Sequence, residues 1–575
     1  MAFQISPGIN ITEKDLTTVV PNVSTNIGAF VGAFQWGPIS YRTTITTEND
    51  LVDLFGKPTS ATQEHFWSAA NYLAYSNNLI VVGVKAADAR NGVVGDDDVG
   101  TAVKVDNSDH YDSLTFTDQL FVAKYPGVKG NSLRVRAIDS NGWADSTVNA
   151  DFLTNFDNAP GTSADVLAAG GSEDEMHILV EDEDGLFTGV PGEVLERWAY
   201  VSKASDGKRI DGSSNYAVDV LKNESKYAYV GDVAEFTANS SGTIVPAGTA
   251  KAGTTFSVFD STNAAKSVLG GSLSLGVDGA TVVAAELIAG WTYFNTPETS
   301  DVTLLFAGPG GTTTDTTVAS TCIGIANSRK DCIAFVSAPQ DTVVHATGHL
   351  AQLTTDKTGM SASNSYGVMD NAWKYQYDRY QDKFIYVPMN GDVAGICARL
   401  DFTHDAWWSP AGMNRGAIKN IVKLSWEPTK ADRDSLYKIS INSLITQTGS
   451  GVLLWGDKTM QPTPTAFDRI NVRRLFIVLE KAISNAAKSM LFEFNDEFTR
   501  AQFVNMVEPF LREIQGRRGI TDFKVVCDGS NNTGTVIDNN NFVGDIYVKP
   551  SRSINFIQLN FIAARTDVNF TEIGG

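Results

Sequence analysis

The segment LIVVGVKA (79–86) is apolar without a break from Leu79 to Val84 and only as long as a strand. Such a run belongs in a strand covered on both faces, the setting of a parallel sheet flanked by helices. The preceding residues supply matching parts. IGAFVGAF (27–34) predicts a strand stopped by the Trp36-Gly37-Pro38 turn. TENDLVDLFG (47–56) predicts a short helix capped by Thr47 and ended by Gly56. TQEHFWSAANYLAYS (62–76) places Phe66, Ala69, Ala70 and Leu73 on one helical face. Strand, helix, helix and strand make an α/β core.

After Asp88 the composition shifts. Gly, Asp, Ser and Thr rise and short strands dominate to about residue 305. LFVAKYPG (120–127), SLRVRAID (132–139) and MHILVEDEDG (176–185) predict strand-and-turn units, with EDEDG as a tight acidic turn. Residues 231–310 are rich in Gly, Ala and Thr and alternate as in TTFSVFD (254–260). One or two β-rich domains inserted into the α/β core account for this. Core-like signals then return. Residues 313–328 predict a helix, and CIAFVSAP (332–339) and KFIYVP (383–388) predict buried strands, with a helical stretch and a Tyr-rich loop between them.

The last third is more helical. INVRRLFIVLEKAI (470–483) puts Val472, Leu475, Phe476, Leu479 and Ile483 on one stripe, with Arg473, Arg474 and Lys481 elsewhere. A second amphipathic stretch (495–519) opens at Asp496 and closes at Gly516 and Gly519, and Pro509 either kinks it or begins another helix. Strands follow at 523–528, 545–550 and 554–564, with a phase change between Phe556 and Ile557 that predicts a bulge.

Both ends carry a strand's period of two. Phe3 and Ile5 alternate before the Pro7-Gly8 turn, and Ile9 and Ile11 after it. Val568 and Phe570 alternate with Asp567, Asn569 and Thr571, and Ile573 follows. Chain ends usually fray unless something ties them down. These patterns therefore ask for a partner.

No catalytic signature emerges. His345 and His349 have the spacing of a zinc helix, but Ala346 stands where the general-base Glu is needed. AGPGGTTTD (307–315) lacks the Lys-Ser/Thr ending of a phosphate loop, and no GxSxG elbow occurs. EDEDG lacks the spacing and final Glu of a calcium loop. His404 and Asp405 beside Trp407 and Trp408 read as an aromatic packing cluster rather than a carbohydrate site. No cofactor, metal or catalytic residue is assigned. The four cysteines form no CxxC pair, and they read as small buried hydrophobes in a protein made in a reducing cytoplasm. MAFQISPGINITEKD is not a secretory signal, and no run reaches the ~20 apolar residues of a membrane span.

The net charge of -21 disfavours nucleic acid as a partner. It is also uneven. Residues 88–184 hold 20 acidic and 6 basic side chains, whereas 399–518 hold 17 basic and 13 acidic. Two regions facing different surroundings would explain the difference.

Several segments taken together resemble a known family. SPGINITEKD, IGAFVGAFQWGPI and LVDLFGKPT resemble the opening of contractile phage (myovirus, T4-like) tail sheath proteins. AKYPGVKGNSLRV (123–135), VEDEDGLFTGVPGEVLERW, SRKDCIAFVSAP, INVRRLFIVLEKAI, FEFNDEFTR, VEPFLREIQGRRGI and FVGDIYVKPSRSINFIQLNF are similar to the same type. The match is strong toward both ends and weak over about 231–305. The resemblance implies a structural, non-enzymatic virion subunit made in the host bacterial cytoplasm. It implies a homo-oligomer of stacked hexameric rings around a tail tube protein, with baseplate and tail terminator proteins as further partners and no membrane insertion. Contraction would drive the tube through the host envelope. The sheath of a bacterial contractile injection device is the near alternative, and a secreted polysaccharide-degrading enzyme the distant one.

The implied fold is α/β plus β and multidomain, with extended arms. Its parts are an N-terminal linking arm (1–20), an α/β core (21–90 and 306–395), inserted β-rich peripheral domains (91–305), an α+β inner domain (396–564) and a C-terminal linking arm (565–575). In the family the arms add strands to a neighbour's C-terminal sheet. That role falls on Phe3, Ile5, Ile9 and Ile11 and on Val568, Phe570 and Ile573, with 523–528 and 545–564 as the receiving sheet. Arg500, Arg512, Arg517 and Arg518 are the expected tube-facing charges. The alternative is pairing with Glu497, Glu508 and Glu513 along the helix.

Overall fold

The computed structural model describes residues 24–559, apart from 96–99, 146–149, 234–235, 237–244, 260–266, 311–315 and 361–363. The chain forms two compact units. The larger is Ser24–His404 with Pro410–Pro464; the described part of the smaller is Asp405–Ser409 with residues 465–559.

The larger unit begins with β1 (Gly28–Ala33), β2 (Arg42–Ile45), α1 (Glu48–Phe55), α2 (Gln63–Leu73) and β3 (Leu79–Val84). β1 and β3 pair in parallel, Gly28 opposite Leu79, as the unbroken apolar run requires. Thr47 caps α1 through the Asp50 amide in a reciprocal capping box. β2 was not foreseen; RTTI is short and polar, and it lies antiparallel on the sheet edge against β3. α2 departs from the one-face expectation. His65, Trp67, Ser68, Asn71 and Tyr72 are buried along with Phe66, Ala69 and Ala70, so the helix is enclosed nearly all round. Its tight approach needs Gly28, where a Cβ would lie 2.5 Å from the Tyr72 ring.

The chain then builds β4 (Val93–Val94), β5 (Phe121–Ala123), β6 (Leu133–Asp139), β7 (Glu175–Asp182), β8 (Glu193–Ser202), β9 (Ala228–Val230) and β10 (Val268–Ser272). They form a three-stranded sheet, β4-β5-β9, and a four-stranded sheet, β10-β6-β7-β8. The tight acidic turn expected at EDEDG is corrected here. Glu181 and Asp182 belong to β7 and are buried. Glu181 pairs with Arg134 at 3.0 Å and with Arg136 at 2.8 Å, and Asp182 accepts from Ser132 Oγ at 2.7 Å and from the Thr188 amide at 2.8 Å. The buried acids thus anchor a longer connection to β8.

β11 (Leu304–Phe306), β12 (Ile333–Val336) and β13 (Gly367–Met369) return to the first sheet, in the order β13-β12-β11-β1-β3-β2. Phe306 stacks on Phe30 at 5.0 Å and on Tyr72 at 5.1 Å, joining early and late strands in one core. β14 (Trp373–Asp378), β15 (Lys383–Pro388) and β16 (Lys423–Leu424) form an antiparallel sheet, and β17 (Leu444–Gln447) and β18 (Gly451–Leu454) a hairpin. The Tyr-rich stretch is therefore largely a strand, and KFIYVP is half-buried rather than buried. One face of the β14–β15 pair carries Tyr375 against Tyr386 and Phe384, at 4.7 and 5.3 Å. His345 and His349 do not share a helix face. His345 precedes the His349–Gly359 helix with a φ of 57° and packs edge-on to Tyr386, while His349 stacks on Trp426. All four cysteines are buried and none is in a disulfide.

Two buried acids follow β13 in the core. Asp392 accepts from Lys374 Nζ at 2.9 Å and from Tyr75 Oη at 3.1 Å. Asp370 accepts from Ser337 Oγ at 2.7 Å, and burial, with Asp392 adding to it, pushes its carboxyl up to about 7. The folded state therefore holds this proton more tightly than the unfolded chain. Its contribution to stability is present at low pH and is lost as pH rises through about 7. Asp370→Asn is expected to flatten that fall in the pH profile of the melting temperature; an unchanged profile would reject the assignment.

In the smaller unit, helices Ile470–Ala487 and Glu497–Gly516 pack with β19 (Ile520–Val526) and β20 (Asp545–Pro550). Arg473 and Arg474, expected off the buried stripe, are buried, with Arg473 over the Phe467 ring at 3.9 Å. Pro509 lies inside one continuous helix. The strand expected from 554 does not form in its described part, and the bulge falls in β19 between Ile520 and Asp522, not at Phe556. Ile554, Phe556, Ile557 and Leu559 are instead exposed.

Candidate assembly surface

The surface that distinguishes the smaller unit is a sheet left open. β19 and β20 pair antiparallel, Phe523 opposite Val548 and Val525 opposite Ile546. These four turn one face toward the core built from Leu479, Phe503, Val507 and Leu511. Lys524, Tyr547 and Lys549 alternate to the outside. Among the described residues the sheet has only these two strands. Each strand thus has an outer edge of main-chain donors and acceptors with no strand beside it. A two-stranded ribbon is marginal alone, and here the Glu497–Gly516 helix supports it.

A groove of about 1170 Å³ runs beside the ribbon. Phe476, Leu479, Ile483 and Phe503 form its floor side, and Phe494, Phe542, Ile546 and Val548 line it from the loops and β20. Leu491, Phe492 and Phe494 of its lining are more than half exposed, and in the same unit so are Phe498, Tyr547 and the four apolar residues of 554–559. Burying one such side chain gains roughly 1.5–3 kcal/mol. Covering most of them would exceed the roughly 4–15 kcal/mol cost of association. The sequence signal for this patch was FEFNDEF, whose aromatics match neither a helical stripe nor a regular strand.

The expected arm residues Phe3, Ile5, Ile9, Ile11, Val568, Phe570 and Ile573 lie outside the described residues. The expected arginines are described, and they do not form one row. Arg500 and Arg512 are about 18 Å apart along their helix and a third of a turn apart around it. Arg500 folds back on the Asp496 carbonyl at 2.9 Å. Arg512 is largely exposed and pairs with Glu508 at 3.3 Å. Arg517 pairs with Asp405 and Glu513 and lies over Trp407, and Arg518 lies over Trp408 at 5.6 Å. Helix pairing thus accounts for Glu508 and Glu513, and Asp405, Trp407 and Trp408 serve a packed cation–aromatic cluster.

Three family models match the chain: the tail sheath protein Gp18 domain III N-terminal region at 27–84, the phage tail sheath protein central domain at 280–460 and the phage tail sheath C-terminal domain at 463–564. The tail sheath proteins of Vibrio phage KVP40 and Enterobacteria phage T4 are each 33% identical, over 99% of this chain and 100% and 99% of theirs. That of Salmonella phage ViI is 30% identical over 100% of this chain and 98% of its own. Sheath tail proteins from Listeria innocua and Desulfitobacterium hafniense share the fold at 11% and 12% identity. Their TM-scores are 0.52 and 0.51, with 92% and 91% of this chain covered and 96% and 94% of theirs. Domain models along the chain and relatives matched end to end agree, and the chain belongs to the phage tail sheath protein family.

Proposed function

We propose that this chain is the structural subunit of a contractile tail sheath, made in the host cytoplasm and carried on the virion. Copies stack as hexameric rings around the tail tube protein, between baseplate and terminator, and contraction drives the tube through the host envelope. The role is mechanical rather than enzymatic. The observation that carries this reading is the open β19–β20 ribbon with its uncovered apolar surround, in a chain whose two ends have strand periodicity. A neighbour's arms, Phe3, Ile5, Ile9 and Ile11 from one end and Val568, Phe570 and Ile573 from the other, would pair with the ribbon edges by main-chain hydrogen bonds. About 10–15 extended residues reach roughly 35–50 Å, enough to span to another subunit. Such head-to-tail contacts do not close on themselves and so generate a helical array. Electron microscopy of the purified protein tests this: rings or tubes are expected, and a monodisperse monomer at every concentration would reject it.

Within this reading the tube-facing charge centres on Arg512, with Arg517 and Arg518 nearby in sequence and Arg500 apart. Arg512→Glu is expected to leave the melting temperature within a few degrees, since an exposed pair contributes about 0–1 kcal/mol. It is expected to reduce co-assembly with the tube protein, most clearly at low salt. Unaltered co-assembly across salt concentrations would remove Arg512 from the tube contact.

A further inference from the structure

The six-stranded sheet has a reversal in it. From β1 the chain crosses to β3 on one side, and from β11 it continues to β12 and β13 on the other, with β1 and β11 adjacent. Open parallel sheets seat ligands outside the carboxyl ends of the strands at such a reversal. This chain has a cavity of about 500 Å³ there. Ala33 and Phe34 at the end of β1 and Val84 and Lys85 at the end of β3 form part of its wall. Glu64 and His65, from the first turn of α2, and Gln340, after β12, face it as well.

The charges in the cavity are not balanced. Lys85 is buried and committed to an ion pair with Asp278. The Glu64 carboxyl has no cation beside it among the described residues. Its hydrogen-bond partner is the neutral Gln340 amide, donating at 3.1 Å, and the neighbouring Asp341 repels it. His65 is 9% exposed, and its Nδ1 has no hydrogen-bond partner among the described residues. An acid without a counter-charge and a buried ring nitrogen without a partner thus line one crevice. Leaving such groups unmatched is costly. An anion would worsen the balance, since it would face both Glu64 and Asp278. A cation with several N–H donors would improve it.

We propose that this crevice is a binding site for a small organic cation, a guanidinium or primary ammonium group, with Glu64 as its counter-charge and His65 Nδ1 as an acceptor. The apolar walls, Phe34 and Val84 among them, would take the carbon stem of such a group. The cation could be a free diamine or guanidine, or the side chain of a Lys or Arg from a second copy of this chain. The ionisation states agree with the geometry. Burial, with Asp341 adding to it, pushes Glu64 up to about 7, while the Gln340 bond opposes the rise. Burial pushes His65 down to about 4, so its ring is neutral and able to accept. A bound cation favours the carboxylate, and binding then releases a proton wherever free Glu64 is protonated. Affinity is accordingly expected to be about tenfold weaker at pH 6 than at pH 8. The other charged groups facing Glu64 or the cavity are Asp341 and the Lys85–Asp278 pair.

The test is titration calorimetry of the full chain with agmatine, at both pH values, beside Glu64→Gln checked for an unchanged melting temperature. Support is saturable binding of one agmatine per chain, about tenfold weaker at pH 6 and at least about tenfold weaker in Glu64→Gln. No saturable binding to about 10 mM, which corresponds to less than about 3 kcal/mol, would overturn the proposal. So would equal binding by Glu64→Gln, or no dependence on pH. Sedimentation of the concentrated protein separates the two sources. If agmatine and Glu64→Gln both lower self-association, the occupant is a side chain of a second copy; if neither does, it is a free cation. Both patterns support the site, and neither depends on the tube or on the terminal arms.

Discussion

Deleting residues 566–575 is expected to leave a folded subunit that no longer polymerises. Val568, Phe570 and Ile573 would each gain roughly 1.5–3 kcal/mol on burial against a neighbour. Ordering the tail costs roughly 2–5 kcal/mol. A net of a few kcal/mol remains per contact, roughly a hundredfold or more in affinity, and every subunit of a polymer makes that contact. The critical concentration for tubes should therefore rise beyond any practical value. The melting temperature should hold, since the smaller unit has its own core of Leu475, Leu479, Phe503, Val507 and Leu511. Negative-stain microscopy and a thermal melt on one preparation separate the outcomes. Normal tubes from the truncated chain would reject the linking-arm role, and loss of the melt would show that the tail serves its own subunit.

Lys374→Met is expected to cost about 3–5 kcal/mol of stability. Lys374 and Asp392 are fully buried, and Tyr75 and the Lys419 backbone complete their network. Burial pushes the Lys374 ammonium down and the Asp392 carboxyl up, and the two oppose this for each other. Removing the lysine leaves a carboxylate in the core without a cation. Lys374→Met with Asp392→Leu should recover much of the loss, because an apolar pair of similar volume needs no solvation. Denaturant unfolding of both variants measures the coupling. A single variant as stable as the parent would show that Asp392 is neutral in the native protein.

The α/β core was legible because its strands are continuous apolar runs and its first helix has a cap and a stop. Thr47, Gly56 and the run from Leu79 to Val84 mark elements close to their observed bounds. What was illegible has physical causes. β2 is four residues on an edge, three of them polar, with a single buried side chain, Ile45. The burial of Arg473 and Arg474 depends on tertiary partners that no periodicity encodes. The stretch 554–559 has strand composition, but a strand needs a neighbour to pair with. For the assembly surface, the sequence indicated the ribbon strands, while the aromatics of FEFNDEF entered only as part of the resemblance. It could not indicate that these would be left uncovered. The crevice at the strand ends was missed because Glu64 and His65 read as ordinary helix residues until β1, β3 and β11 were placed side by side.

The enclosure of α2 has a mechanical consequence. Its wall of Phe66, Trp67, Ala69, Ala70 and Tyr72 is in contact on nearly every side, and protein interiors at that density yield very little under load. A force reaching this sheet is therefore conducted through it as through a stiff block. Compliance must reside in segments that lack such enclosure, and a spring made of these subunits would bend at its joints.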